Sequence, residues 1–380
     1  MRKITLQQFS NPFFLGKTLI TAHIIMNHSS PLRTAFTALC GVDRPVMNQP
    51  SPSLTTPALV AAVSEAGGLG VIPAGRMSPA QISAYCRAVR EKTARPFAIA
   101  LDVDETPRSL AGVDALLDEL SFLLEELDLP ASVQVDSGNV LGLQESSTYQ
   151  ERFEAALSEK PAAMIAMHGG FREPEAEALQ AAGVVNMGFC TSLKEAKVLR
   201  SAECQVLIAQ GSESAGVRLH FEESAHPGAG LMTLVPVLSQ VTGLPVIACG
   251  GIYCREQVEA LSVLGAGGVM LGTALAACKE SGADEQTRYW ALNGQMQDTV
   301  VCTTYSPAGT RCLKNNFTGW YWEGEPIERG AYEALFQAIC AAAVRKNRPD
   351  LVLRELGLGI GRARFSTVAE ALEKLSLSGC

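Results

Sequence analysis

Two glycine turns and two loops hold the residues of this chain that could do chemistry. Gly250 and Gly251 follow the short apolar run Val246–Cys249, and Gly272 and Thr273 follow Val269–Leu271. Each reads as a strand breaking at glycine and feeding a helix start, at Glu256–Leu264 in the first case and Ala274–Cys278 in the second. Two such ends side by side offer backbone amides, a threonine hydroxyl and a helix N-terminus to one anion, and phosphate is the natural guest. The plainer alternative is that these glycines only turn the chain. His168, followed by Gly169 and Gly170, stands after the run Met164–Met167, where an imidazole is either a base or a hydrogen-bonded structural residue. The loop AQGSESAGVRLHF, residues 209–221, is the richest. Gln210 can donate to and accept from the edge of a planar heterocycle, Gly211 and Gly216 permit close approach, and Glu213 is the sole acid in its first half.

The elements needed to hold these loops together follow a regular beat. Apolar strands are expected at Arg44–Asn48, Leu69–Ile72, Phe97–Ala100, Met164–Met167, Val184–Met187, Val206–Ala209, Val246–Cys249 and Val269–Gly272. Helices lie between them, and the first, from Pro57, has Thr56 as N-cap and proline at N1. Unbroken apolar strands alternating with helices imply a parallel sheet covered on both faces. Eight βα units over about 230 residues predict a (β/α)8 TIM barrel rather than an open doubly wound sheet. In that fold the active site lies at the strand C-termini, with phosphate after strands seven and eight. The beat is interrupted after strand three by a leucine-rich helix at Val113–Leu127 and a short run at Ala131–Val135. We therefore expect an N-terminal extension, poorly ordered, over residues 1–31, a barrel over 32–298 with an insertion at 101–157, and a C-terminal helical cap and substrate-side segment over 299–380. Tyr332–Arg345 and Val368–Leu375 are the expected cap helices.

Composition narrows the classes of function. A chain of 380 residues with 47% hydrophobic content can bury a large core, and a net charge of −8 without a basic run argues against a nucleic-acid surface. Eleven scattered cysteines without a CxxC pair or zinc spacing read as reduced, mostly buried thiols in a cytoplasmic compartment, with no metal site. No apolar run reaches the roughly 20 residues that span a bilayer. The first 40 residues carry Arg2, Lys3, Lys17 and Arg33 and no acid, which suits an organellar presequence; an upstream start codon or leader ahead of Met26 is the favoured reading.

Five blocks in order, PVMNQPSPSLTTPALVAAVSEAGGLGVI, MIAMHGG, LIAQGSESAG, PVIACGGI and VMLGT, resemble the FMN-dependent nitronate monooxygenases, also called 2-nitropropane dioxygenases. The likeness runs from about Leu32 to about Phe317 and continues more weakly through GLGIGRARFSTVAEAL. It implies a TIM barrel with FMN at the strand C-termini. Its motifs place Gly250, Gly251, Met270, Leu271, Gly272 and Thr273 at the FMN phosphate and neighbouring ribityl, Gln210, Ala215 and Gly216 against the flavin, and Pro50 in a loop over the ring. His168 coincides with a family histidine, and Arg311 and Asn315 with an arginine and an asparagine near the mouth.

The departures from the pattern matter for mechanism. The family's catalytic histidine falls on Val217, its asparagine after strand three on Ala100, and its first loop on Asn48, Gln49, Pro50 and Ser51. Loss of such a base removes about 10²- to 10⁴-fold of rate from a proton transfer. The resemblance therefore implies oxidation of alkyl nitronates with O2, with neutral nitroalkanes turned over weakly or not at all, and His168 as the candidate base in place of His220. A flavin reductase using NAD(P)H on an enoyl thioester or quinone, and a non-catalytic flavin- or phosphate-binding barrel, are the alternatives. Small molecules are the expected partners, with an oligomer left open.

Overall fold

The computed structural model describes residues 33–75, 77–103, 111–130, 139–140, 143–144, 147–222 and 228–375. The expected N-terminal extension and the run Ala131–Val135 lie outside the described residues. Eight parallel strands form one sheet: β1 (Val46–Asn48), β2 (Gly70–Gly75), β3 (Phe97–Asp102), β4 (Ala163–Met167), β5 (Val185–Cys190), β6 (Val206–Gln210), β7 (Val246–Cys249) and β8 (Ala266–Leu271). They run in the order β1-β8-β7-β6-β5-β4-β3-β2, and a single bridge between Met47 and Leu69 joins the two ends. The expected TIM barrel is present, each strand within a few residues of its expected place.

Period-two alternation explains why the strands read as unbroken apolar runs. Ala98, Ala100, Ile165, Met187, Ile208, Ile247 and Met270 point into the barrel. Ile99, Leu101 and Met164, and Leu207, Ala248 and Leu271, point outward beneath the helices. Both faces are dry, so neither can carry the polar half of an ordinary alternating strand.

The closing seam is sealed by a side chain. Asn48 Oδ1 accepts from Val71 N at 2.7 Å while its Nδ2 donates to Val71 O at 2.9 Å. One amide thus imitates the backbone pairing that three-residue β1 is too short to supply, and it leaves no buried polar group unmatched. The first helix, Pro57–Glu65, begins as expected, with Thr56 Oγ1 accepting from Leu59 N at 3.0 Å.

Four expectations need correction. The helix expected over Val113–Leu127 is two, Val113–Glu119 and Ser121–Glu126, parted at Leu120, where ψ of 3° leaves the helical region. After β8 comes only a 3-10 turn, Thr273–Leu275, instead of an α-helix start. The C-terminal section is not wholly helical: Thr299–Cys302 and Thr310–Leu313 pair antiparallel, and Gly216–Val217, from the loop after β6, adds a third strand.

The fourth correction concerns Val368–Leu375. That helix does not cap the barrel. Its Val368, Ala371, Leu372 and Leu375 pack into the same core as Leu59, Val63, Val258 and Leu261, and Arg44 Nη1 donates to Leu372 O at 3.0 Å. It lies against the first barrel helix, Pro57–Glu65, and the seventh, Arg255–Val263, so it is the eighth member of the outer ring. Between β8 and this helix the chain builds the cap. The helix Arg329–Arg345 shares a core with Val113–Glu119 and Ser121–Glu126, through Leu116, Leu120 and Leu124 against Leu335, Phe336 and Ile339.

Candidate functional site

At the C-terminal rim of β7 and β8 a narrow cleft of about 10 Å³ is lined by Gln49, Ser214, Ala215, Gly250, Gly251, Ile252, Met270, Gly272, Thr273 and Gly359. Six of these, Ala215, Gly250, Gly251, Met270, Gly272 and Thr273, are among the residues expected to hold the cofactor. No charged side chain is among them.

The walls leave little room for side chains at the glycines. Gly250 and Gly251 have φ of 141° and 64°, backbone that favours glycine. A Cβ on Gly250 would meet Ser214 N at 2.9 Å, and one on Gly272 would lie 2.3 Å from Gln49 Oε1. Thr273 Oγ1 accepts from Gly357 N at 2.9 Å, which leaves its one proton to donate elsewhere. Bare backbone, one free hydroxyl proton and no carboxylate in the lining suit a phosphate, so the residues present fit the FMN phosphate.

The loop after β6 forms one wall and is pinned at each step. Glu213 accepts from Leu231 N at the start of the helix Leu231–Thr242, and its carbonyl accepts from Leu358 N. Gln210 spends both ends of its amide on backbone, donating to Val217 O at 3.0 Å and accepting from Leu219 N at 2.9 Å. It shapes the loop, and one N–H and one oxygen lone pair of its amide remain beyond these two bonds. Arg218 donates to the carbonyls of Gly211 and Gln210, and buried Glu195 accepts from the amides of Phe221 and Glu222.

The remaining expected residues are placed as follows. Leu271 faces outward into the helix-side core, and its carbonyl accepts from Gln49 N. Pro50 is half-buried in the loop after β1, and Gly216 pairs with Arg311 across the three-stranded sheet. Arg311 donates from Nε to Ser212 O at 3.0 Å and from Nη1 to Thr299 Oγ1. Asn315 accepts from the amides of Phe317 and Thr318 and donates to Tyr305 Oη, so it holds a turn within the cap.

His168 sits apart from the cleft in a charged cluster. Its φ is 59°, Nε2 lies 3.3 Å from Arg329 Nη1, and Nδ1 faces Asp102 Oδ1 at 3.3 Å, off-angle for a hydrogen bond. A guanidinium nitrogen has no lone pair to offer, so Nε2 must be the acceptor there and the ring proton belongs on Nδ1. Arg329 also pairs with Asp102 at 3.2 Å and with Glu333 at 3.3 Å, and Glu333 accepts from Ser306. The lone pair a base needs is therefore turned to an arginine of the cap helix.

Two further titratable groups stand out, Glu355, which sequence did not single out, and His220, which it set behind His168 as a base. Glu355 accepts from Ser51 Oγ at 2.8 Å and lies against Gly216; burial raises its carboxyl above the usual range. His220 is half-buried, and burial pushes its imidazole below the ordinary value, with Glu195 opposing. Gly359 and Glu355 come from a segment more than eighty residues beyond β8; Gly359 lies in the block of weaker likeness, and nothing in the local pattern of Glu355 announces its position.

The nitronate monooxygenase family model matches residues 33–377. This chain belongs to the nitronate monooxygenase family. A nitronate monooxygenase of Pseudomonas aeruginosa is 31% identical over 346 residues, covering 90% of this chain and 97% of that protein. One of Paraburkholderia phytofirmans is 28% identical, covering 90% and 94%. Among solved structures, nitroalkane oxidase from Streptomyces ansochromogenes superposes with a TM-score of 0.79 at 24% identity, over 90% of this chain and 96% of that one. FabK from Thermotoga maritima gives 0.67 at 22%, over 90% and 95%. These two share the fold. Membership makes the chain an enzyme of a flavoprotein oxidoreductase family. No described helix is long and apolar enough to cross a membrane.

Proposed function

We propose that this chain is an FMN-dependent oxidoreductase that oxidises alkyl nitronates with O2 and turns over neutral nitroalkanes weakly or not at all. The cleft carries the first half of the reading. The backbone around Gly250, Gly251 and Gly272 and the Thr273 hydroxyl would hold the phosphate, while Ala215 and Gly216 would flank the remainder of the cofactor. When bound, FMN supplies the redox chemistry, accepting electrons from substrate and passing them to oxygen.

Val217 carries the second half. Its short strand is held by Gln210 from one side and Thr310 from the other, and the sequence resemblance aligns its half-buried isopropyl group with the family's imidazole. It cannot take a proton from carbon. A nitronate arrives with that proton already gone, and the chain then needs only to bind and orient an anion. His168 is poorly disposed to substitute while Arg329 occupies its Nε2.

The test is to purify the protein, record its visible spectrum, and follow oxygen uptake with ethylnitronate and with nitroethane at neutral pH. A yellow protein consuming oxygen with the nitronate at least about 10²-fold faster supports the reading. Equal rates, or a protein that takes up no FMN, overturn it. The missing imidazole also leaves room for a flavin reductase, because hydride transfer from NAD(P)H needs no base at position 217. Anaerobic bleaching of the flavin by NADH or NADPH at a useful rate selects that second reading.

A further inference from the structure

Among the ten described thiols, Cys302 and Cys312 are the one pair within sulfur hydrogen-bonding reach, with Sγ atoms 3.8 Å apart. They are diagonal neighbours on the hairpin, for Cys302 lies opposite Thr310 and Cys312 opposite Val300. Ten positions separate them in sequence, so only the pairing of the strands brings them together. Cys312 is fully buried, whereas Cys302 keeps 9% of its surface in reach of solvent.

Their surroundings make the two sulfurs unequal. As a thiolate, Cys302 would accept the Cys312 S–H, which lowers its thiol against the opposing effect of burial. Cys312, the donor, is pushed the other way. Buried thiols without such donors go up instead, Cys40 and Cys86 to about 12.

We propose that Cys302 and Cys312 are a peroxide-sensitive dithiol that closes reversibly to a disulfide across the hairpin beside the cleft. The Cys302 thiolate attacks one oxygen of hydrogen peroxide or an alkyl hydroperoxide. The O–O bond breaks, sulfur becomes a sulfenic acid, and the leaving oxygen departs, protonated, as water or alcohol. Cys312 sulfur then attacks Cys302 sulfur and the hydroxyl leaves as water with the Cys312 proton. In sum two thiols and one peroxide give one disulfide and two molecules of water, or one each of water and alcohol, with two electrons moved from sulfur to oxygen. A dithiol reverses it.

Closure shortens the sulfur separation from 3.8 Å to about 2.05 Å. The hairpin must tighten, and its far strand bonds Gly216–Val217 and carries Arg311, which holds Ser212. The redox state of the pair is therefore felt in the loop after β6. None of this depends on the flavin reading.

The experiment uses the full chain, reduced, freed of reductant and treated with excess hydrogen peroxide at neutral pH. We expect the mass to fall by two hydrogens, the free thiols to drop from 11 to 9, and a peptide map to join Cys302 to Cys312, all restored by dithiothreitol. Cys312→Ser should stop at a Cys302 sulfenic acid that dimedone traps, and Cys302→Ser should lose the reaction. Should either variant misfold, the peptide map of the oxidised wild-type chain decides by itself, because it needs neither substitution. Unlinked 302 and 312 after oxidation elsewhere would overturn the proposal.

Discussion

An isopropyl group at position 217 neither gives nor takes a proton, and the consequence can be isolated by putting the imidazole back. Val217→His should raise turnover of nitroethane by about 10²-fold or more while changing turnover of its nitronate little, in parallel steady-state assays. A variant with both rates unchanged would show that position 217 does not face substrate. A second residue prediction concerns acid. His220 is held below its ordinary value, so the unfolded chain binds a proton there more readily than the folded one. Its contribution to stability is complete above the unfolded value near 6.5 and is lost as pH falls from there through the folded value. His220→Gln should flatten the fall in Tm between pH 7 and pH 5, measured by calorimetry. Residues of the cleft were legible in the sequence because their glycines sit where backbone must turn or approach closely. The loop role of Gln210 was not legible, because its amide looks the same in sequence whether it meets a ligand or the carbonyl and amide of its own loop. Glu355 carried no signal, since a lone glutamate acquires meaning only when the fold sets it against Gly216 and Ser51.

Among the elements, the turn after β8 shows how little space separates the walls of the cleft. Gly272→Ala would drive a methyl group to within 2.3 Å of Gln49 Oε1, and Gln49 is tied through Nε2 to Ala215 O. Overpacking of this kind costs about 1–3 kcal/mol, so uptake of FMN should weaken by about tenfold or more in a fluorescence-quenching titration. Undiminished affinity would place the phosphate elsewhere. The eight barrel strands were readable because burial on both faces leaves continuous apolar runs, and the helix starting at Pro57 because capping is local chemistry. The hairpin was not, because four-residue strands carry too short an alternation to read, and the third strand, Gly216–Val217, comes from the distant loop after β6. The helix Val368–Leu375 failed differently: an apolar stripe says that one face is covered without saying by what.

Across the whole molecule, cap and barrel meet through a compact set of charges. Arg329 joins Asp102 at the end of β3 to Glu333 on its own helix and to His168 after β4, and all four side chains are at most 16% exposed. Removing the cation takes a partner from both Asp102 and Glu333 in a poorly solvated place. Arg329→Met should therefore cost about 3 kcal/mol in urea unfolding, near the low end for a broken buried pair. A loss under about 0.5 kcal/mol would mean that the cap is held by the apolar contacts of Leu335, Phe336 and Ile339 alone.

The ring of outer helices is finished by Val368–Leu375, so the cap is strung between two points of the barrel like a handle on a vessel. A single cut in it would leave both halves anchored. As the chain emerges from a ribosome, the flank between the first and seventh helices stays bare until the helix Val368–Leu375 has followed both barrel and cap, so the vessel is sealed only after both have been made.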